Sequence, residues 1–354
     1  MMKSGVIFMN PFVQDGYLLP AASLNMLPVG DGMTAKDLCA SSAVSARLQA
    51  FLTAHGFTID KRWFSAFLDC LSDPRCAEEA HACVEAIARD ICRVPLTLKG
   101  ITPQARADWT PEHWAYWRKI DRLYLAGGML GSPFGDALLT AMQGCLAENG
   151  LEHLELRLAA HPTITSLIGV ARYISRFCEN ALLFDLGHTN IKCGSLSKAN
   201  GRFEIHSYPL IPSREMQWDY SERAAAEILD EHITDVITAL YLQIVSEGRE
   251  PGDTVSISVA NYVTADRFAV RGGYGKLNLI AADYRQHLTD ALSDRLGRNM
   301  KIHFIHDGTA GAYGVQTDHW RSEAFLGLGT SLSVGFPDEA MNFPFPYERI
   351  EHAL

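Results

Sequence analysis

The chain lacks an excess of basic residues. Its 354 residues include 31 Lys plus Arg against 41 Asp plus Glu, which gives a formal net charge of -10. A nucleic-acid-binding protein usually presents a cluster of Lys and Arg, because these side chains displace counterions from the phosphates. No run of Lys or Arg occurs in this sequence. We therefore expect no nucleic-acid partner.

Long apolar runs and paired cysteines are also missing. The sequence has no uninterrupted apolar span of about 18 residues, which a membrane-spanning helix would require. The apolar stretch before Asn10 is too short for a secretory signal. The eight cysteines are scattered without a Cys-x-x-Cys pair, so we expect neither a zinc site nor a disulfide framework. These absences predict a cytoplasmic protein with no membrane partner.

The length predicts two domains, because a single hydrophobic core rarely grows to this size. The hydrophobic pattern is mainly helical before residue 181 and richer in strands after it. The predicted strands are 121–126, 154–158, 181–186, 191–196, 203–208, 255–259, 302–305, 324–328 and 331–336. The predicted helices include 34–55, 73–91, 135–148, 222–247, 284–296 and one that starts at 308. Three strands in a meander followed by alternating helices and strands are the α/β plan of a ribonuclease-H-like lobe.

The turn between strands 181–186 and 191–196 has residues suited to a phosphate. Gly187 permits an unusual turn conformation, Thr189 and the backbone amide of Asn190 can donate hydrogen bonds, and Lys192 supplies a positive charge. Asp185 ends its strand where it can hold Mg²⁺ through water. A plain hairpin turn would explain the same pattern, so the motif alone decides nothing.

Two later segments make the phosphate interpretation stronger. The predicted hairpin 324–336 has a turn of small and hydroxyl residues, Gly329, Thr330 and Ser331, which can approach phosphates from a second side. Asp307 follows strand 302–305 at the start of a helix, where a carboxylate can accept the proton of an attacking hydroxyl. The alternative is that Asp307 only caps the helix.

These segments resemble the ROK family, the bacterial glucokinase-like proteins of the sugar-kinase, heat-shock-protein and actin (ASKHA) superfamily. The stretch from Asp185 to Gly194, Asp-Leu-Gly-His-Thr-Asn-Ile-Lys-Cys-Gly, resembles the family's first phosphate loop. His306-Asp307-Gly-Thr-Ala matches the segment with the catalytic Asp, and Leu328-Gly329-Thr330 resembles the second phosphate loop. The resemblance implies an actin/hexokinase-like ATPase fold of two ribonuclease-H-like lobes, with ATP and Mg²⁺ bound between them.

The order of the motifs implies a circular permutation. In the family the first loop opens the chain and an adenosine segment closes it, whereas here the stretch around Gly127 and Gly128, which resembles the adenosine segment, precedes the first loop. We therefore predict a discontinuous adenosine and second-loop lobe, residues 1–161 plus 317–354, and a continuous first-loop and substrate lobe, residues 162–316. Met1 and Leu354 should then lie on one lobe, and Gly127 and Gly128 should share a cleft with Asp185.

Several positions depart from the family pattern at the substrate side. His306 stands where an Asn usually helps to hold the sugar, and the sugar loop's Pro-Gly is replaced by a stretch that includes Asn261. No Glu-x-Gly-His segment or zinc-binding cysteine cluster is found, and Ser331 replaces a glycine of the second loop. We predict Asn261, His306 and Asn278 as substrate contacts. His188, within the first loop, can contact phosphate or substrate or can be a solvent-facing turn residue.

The leading prediction is an ATP-dependent kinase that acts on a hydroxyl of a small molecule, with a sugar or sugar derivative as the first choice. Asp307 would be the general base. The rival is a nucleotide- or sugar-binding regulatory protein of the same fold with weakened catalysis. An ATPase that drives assembly stays open as a third function. For the oligomeric state, a homodimer stays open. A transcriptional regulator is disfavoured because no basic helix-turn-helix precedes the lobes.

Overall fold

The computed structural model describes residues 10–215, 222–265, 267–269, 273–315, 317 and 320–352. Both Met1 and Leu354, which the permutation would place together, lie outside these ranges. The fold is mixed α/β. Within the described ranges, no helix combines the length and apolar character needed to cross a bilayer.

The strands and helices alternate irregularly along the chain. The strands are β1 (Val13–Gln14), β2 (Tyr17–Leu18), β3 (Arg122–Ala126), β4 (Glu155–Leu158), β5 (Ala181–Leu186), β6 (Asn190–Ala199), β7 (Arg202–Pro212), β8 (Thr254–Val259), β9 (Lys301–His306), β10 (Glu323–Leu328), β11 (Leu332–Gly335) and β12 (Tyr347–His352). The helices are α1 (Ala35–Cys39), α2 (Ser41–Ala54), α3 (Trp63–Cys70), α4 (Ala77–Leu98), α5 (Pro111–Lys119), α6 (Pro133–Glu148), α7 (Thr165–Ile174), α8 (Glu222–Ser246), α9 (Tyr284–Leu296) and α10 (Asp307–Gly314). The predicted strands are present, with ends that differ by a few residues.

Two helix predictions need correction. The helix predicted for 34–55 begins with the expected capping box of Thr34 and Asp37, but it breaks into α1 and α2 at Ala40, whose backbone is not helical. The helix predicted from Asp73 begins only at Ala77. The Asp73 carboxylate accepts hydrogen bonds from the backbone and side chain of Arg75, and this local turn replaces the expected first helical turn.

Besides the two-stranded β1–β2 sheet, the described residues form two main sheets, and the smaller of these unites strands from distant parts of the chain. Its order is β11-β10-β3-β4, and β10 pairs in parallel with β3 although a large part of the sequence separates them. Helices α1, α4 and α6 and the aromatic side chain of Trp117 pack into the hydrophobic core beside this sheet. The aromatic residues that precede β3, Trp117 among them, therefore contribute to the core.

The larger sheet has six strands in the order β12-β7-β6-β5-β8-β9. Strands β5, β6 and β7 form the predicted antiparallel meander, and β8 and β9 continue the sheet in parallel with β5. The carboxyl ends of parallel strands lie at the same edge of a sheet. Asp185, near the end of β5, and Asp307, just after β9, are therefore directed to one edge.

The position of β12 differs from the predicted lobe boundary. Residues 317–354 were assigned to the lobe of the smaller sheet, but β12 pairs in parallel with β7 in the larger sheet. The aromatic rings of Phe345 and Phe203 pack 5.2 Å apart, and the Phe203 amide donates to the Pro346 carbonyl. These contacts attach the end of the described chain to the larger sheet.

Helices α7 and α10 lie against each other between the two sheets. Helix α7 contacts β5 and β8, whereas α10 contacts β10 and β11. Gly169 of α7 allows the close approach, because a Cβ atom there would lie 1.7 Å from the carbonyl oxygen of Ala310 in α10. The helix that begins at Asp307 is thus fixed between both halves of the molecule.

Candidate functional site

A cleft of about 330 Å³, here called the central cleft, lies between the edges of the two sheets. Every residue predicted from the sequence as catalytic or phosphate- and cofactor-binding lines it: Gly127, Gly128, Asp185, Gly187, Thr189, Asn190, Lys192, Asp307, Gly329, Thr330 and Ser331. These residues come from segments that are far apart in the chain. The fold therefore brings the predicted phosphate loops and the predicted base into one space.

Asp185 and Lys192 face each other across the β5–β6 hairpin. They are paired in the strand register, and the Lys192 Nζ atom lies 2.8 Å from Asp185 Oδ2. Ser258, on the neighbouring strand β8, donates to Asp185 Oδ1 at 2.5 Å. The Asp185 side chain is 8% exposed and that of Lys192 is 30% exposed, so the ammonium group is the more accessible partner.

Residues 187–190, here called the first loop, are stabilised from outside the cleft. The Tyr274 hydroxyl donates to the Gly187 carbonyl at 2.8 Å and lies 2.9 Å from the Ser213 hydroxyl. The backbone amide of Ser213 donates to the Thr189 carbonyl. The contacts of Ser213 and Tyr274 with the first loop could not be predicted, because they exist only after the sheet has formed.

His188 is paired with a buried acid. Its Nδ1 atom lies 3.3 Å from Oε2 of Glu215, and the side chains are 22% and 1% exposed. The contact with Glu215 raises the pKa of His188, while burial acts in the opposite direction. The ring is thus partly buried beside an acid and is not the solvent-facing turn residue that the sequence left open.

The second loop, residues 329–331, contacts the helical part of the chain. The Ser41 amide donates to the Gly329 carbonyl at 2.7 Å. Asn25 uses both ends of its side-chain amide on Leu332, which directly follows the loop. Across the cleft, the hydroxyls of Thr189 and Thr330 lie 2.9 Å apart, so the two loops touch.

Gly127 and Gly128 follow β3 at the same cleft. A Cβ atom on Gly127 would lie 2.2 Å from the Leu328 carbonyl oxygen, and its φ of 154° is unfavourable for other residues. A Cβ atom on Gly128 would meet nothing within 4 Å. Gly127 is therefore required by the packing of the sheet, whereas Gly128 leaves open space in the cleft.

Asp307 is the carboxylate with the strongest perturbation in the central cleft. Burial, and then the negative charge of Asp185, raise its pKa to about 7. Its side chain is 23% exposed and its Oδ1 atom accepts a hydrogen bond from the Gly308 amide. A carboxyl group that titrates near neutral pH is well suited to accept and release a proton.

The cap of α10 is His306 and not Asp307. His306 Nδ1 accepts from the amides of Gly308 at 3.1 Å and Thr309 at 3.4 Å, which satisfies donors at the helix start. Because Nδ1 is an acceptor, the ring proton is on Nε2, which lies 3.2 Å from Asp307 Oδ1. Burial lowers the pKa of His306 to about 3, so the ring is neutral. The structure thus removes the interpretation of Asp307 as a mere cap.

The residues predicted as substrate contacts do not line the central cleft. Asn278 binds both backbone polar groups of Phe268 through its side-chain amide. Asn261 is buried after β8. His306 stacks on Tyr262 with ring centroids 4.4 Å apart. These contacts leave the substrate role of the three residues a prediction, and His306 also lines the second cavity described below.

A second cavity of about 360 Å³, here called the edge cavity, is lined by residues at the start of α10 and along β9. His306 and Thr309 form part of its wall, and Arg267 and Arg285 also line it. Within the described residues, β9 pairs only with β8. Asp307, which directly follows His306 in the chain, lines the central cleft instead.

The donor set of the central cleft fits Mg²⁺ bound together with a phosphate ligand. Among the described residues, no group of three or more His, Cys, Asp or Glu could hold a metal alone. Mg²⁺ usually binds one or two carboxylates and takes its remaining ligands from water and phosphate oxygens. Asp185 and Asp307 repel each other electrostatically, and a divalent cation would relieve that repulsion.

No protein-family model and no curated protein matches this chain.

Proposed function

We propose that the protein is an ATP-dependent phosphotransferase acting on a hydroxyl of a small molecule. The observation that supports this most strongly is the position of Asp307, whose pKa is near 7 and which shares a cleft with both glycine- and hydroxyl-rich loops. A protein that only binds nucleotide has no evident use for such a base.

The topology supports a two-lobed ATPase fold with permuted connections. In the larger sheet, β5 to β9 have the order and directions of a ribonuclease-H-like lobe. If the carboxyl-terminal segment of the chain is placed before the amino-terminal segment, the β10–β11 hairpin precedes β3 and β4 in the smaller sheet. We therefore infer two such lobes and a permutation that separates β11 from α1 in the chain.

Each cleft residue then has a defined role. Lys192 and the amides of the first loop would bind phosphate oxygens, and Thr330 with the second loop would bind them from the opposite side. Asp185 would hold Mg²⁺ through water; the bound ion offsets phosphate charge. Asp307 would accept the proton of the acceptor hydroxyl as that oxygen bonds to phosphorus, and the bond to the leaving ADP breaks.

The acceptor remains a small hydroxyl compound, with a sugar or sugar derivative as the leading class. We propose the edge cavity as the space for it, because His306, which lines that cavity, has its Nε2 atom 3.2 Å from Oδ1 of Asp307 in the central cleft. Its aromatic walls include Phe268 and Tyr313, which suit the apolar face of a ring compound.

The test measures ADP release with magnesium-ATP and a panel of sugars, polyols and their derivatives. Native protein should release ADP only with an accepted compound, and Asp307→Asn should reduce that rate by about 10²- to 10⁴-fold, the usual contribution of a general base. Asp294→Asn, a change at an exposed residue of α9, is the matched control. Tight ATP binding without turnover on any compound would instead support the regulatory binding protein.

A further inference from the structure

His188 has an arrangement that the roles above do not use. A histidine within the first loop faces the central cleft, and its Nδ1 atom lies against the carboxylate of Glu215 at 3.3 Å. Nδ1 and Oε2 are both buried and neither makes a hydrogen bond, so the contact between them is one of charge and proximity. An ionised carboxylate that is 1% exposed is costly unless a positive group compensates it.

The charges around His188 favour its protonated form. Glu215, at the end of β7, and Asp307, at the start of α10, both stabilise the cation, whereas Lys36 of α1 opposes it. Lys276 also lies beside Glu215, but its ammonium group donates to the Glu215 backbone carbonyl at 2.5 Å. A carboxylate placed close to one imidazole nitrogen stabilises the imidazolium electrostatically.

The orientation of the ring leaves one nitrogen for a ligand. Because Nδ1 is buried against Glu215, the accessible fifth of the side chain includes the opposite side of the ring, where Nε2 lies. The negative charge of Asp307 acts on His188, and both residues line the central cleft, so the ring lies within electrostatic range of the end of the cleft that contains the predicted base. That end of the cleft is where the transferred phosphate must lie if Asp307 activates the acceptor.

We propose that His188, held as an imidazolium by Glu215, is a ligand of the terminal phosphate of the bound nucleotide and donates its Nε2–H to a phosphate oxygen. This inference rests on the proposed function, because it requires a nucleotide in the central cleft. It assigns Glu215 as the positioning residue for this contact. A charged donor on a phosphate oxygen contributes more to affinity than a neutral one.

Calorimetric titration with ATP, ADP and AMP at pH 6.5 tests the contact. His188→Gln should weaken ATP binding by about tenfold, the effect of losing one charge-assisted hydrogen bond, while AMP affinity stays nearly constant. His153→Gln, at an exposed histidine, is the control and should change neither. His188→Lys keeps a cation at the position and should recover much of the ATP affinity.

The dependence on pH tests the role of Glu215. The cation exists below the pKa of His188, so native ATP affinity should decline as pH rises through that value. His188→Gln should lack this part of the decline while it retains the titration of ATP itself. Glu215→Gln should move the decline to lower pH, because the imidazolium loses its partner.

Imidazole nitrogen NMR supplies a readout that does not depend on nucleotide. The His188 signals, identified by their absence in His188→Gln, should show both nitrogens protonated at pH 6.5, and ATP should shift Nε2 more than Nδ1. A neutral ring, or equal ATP affinities of native protein and His188→Gln, would overturn this inference but leave the kinase proposal intact. Failure of the native protein to bind any nucleotide would overturn both.

Discussion

The two loops that meet across the central cleft differ in charge. The first loop and its flanking strands contribute Asp185, His188 and Lys192, whereas the second loop offers Thr330, Ser331 and backbone groups only. The hydroxyls of Thr189 and Thr330 connect them at 2.9 Å. Under the proposed function, the first loop would supply the electrostatic part of phosphate binding and the second would supply shape and hydrogen bonds.

The loops also differ in what supports them. Ser213, Glu215 and Tyr274, which contact the first loop, belong to the half of the chain that forms the larger sheet. The second loop region is contacted by Asn25 and Ser41, from the helical beginning of the chain. A change in the first loop should therefore alter affinity, whereas a change around the second should first alter the packing of the smaller sheet.

The largest effect is expected for Gly127→Ala. The added methyl group would overlap the Leu328 carbonyl oxygen just before the second loop, and the φ of 154° is strained for alanine. We expect the free energy of unfolding to fall by more than about 3 kcal/mol, measured by urea denaturation.

Gly128→Ala is the matched control for this change. Its methyl group meets no atom within 4 Å, so stability should stay within about 0.5 kcal/mol of the native value while ATP affinity decreases. Equal losses of stability in both variants would contradict the distinct roles given to these two glycines.

Lys192→Met should show the electrostatic role of the first loop. Loss of the ammonium group should weaken magnesium-ATP binding by about 10²-fold, as for other charged donors aimed at phosphate or oxyanion charge. Lys198→Met, further along β6 where Lys198 pairs with Glu179, should leave the dissociation constant unchanged. If both variants bind magnesium-ATP with equal affinity, the phosphates do not lie beside Lys192.

The pH dependence of turnover tests the role of Asp307, which belongs to neither loop. Its pKa is about 7, so the basic form is lost below neutral pH and the rate should fall about tenfold per pH unit there. In the unfolded chain the group titrates near 3.8, so the native state retains this proton to higher pH. The free energy of unfolding should therefore decrease as pH rises between these values, and Asp307→Asn should remove that slope. A flat rate profile between pH 6 and 8 would exclude Asp307 as the base.

Local patterns in the sequence were sufficient for strands β3 to β11 and for Asp185, Lys192 and Asp307, whereas Gly127 and Gly128 were assigned to the cleft from the family resemblance. Asp185 and Lys192 lie on adjacent strands joined by a tight turn, so their pairing follows from the hairpin register. Asp307 follows a strand parallel to the one that contains Asp185, and parallel strands end at the same edge. These relations need only strand order, which periodicity and turns indicate.

Contacts between distant segments could not be predicted from the sequence. Glu215, Asn25 and Ser41 are ordinary polar residues whose partners are decided by tertiary packing. The role of His306 as helix cap was missed because its ring replaces the usual hydroxyl or carboxamide. Strand β12 was missed because it lies after a proline-rich stretch and because charged residues separate its few apolar residues.

The smallest effect is expected at the contact that joins the loops. Thr330→Val keeps the shape of the side chain but removes the hydroxyl that lies 2.9 Å from the Thr189 hydroxyl. A hydrogen bond between partly exposed hydroxyls contributes about 1 kcal/mol, so ATP affinity should fall about fivefold and stability should hardly change. Thr189→Val loses the same contact, and the double variant should be no weaker than either single variant if the hydroxyls act only on each other. A much larger loss in Thr189→Val would mean that this hydroxyl also binds phosphate directly, and the charged loop would then supply hydrogen bonds as well as charge.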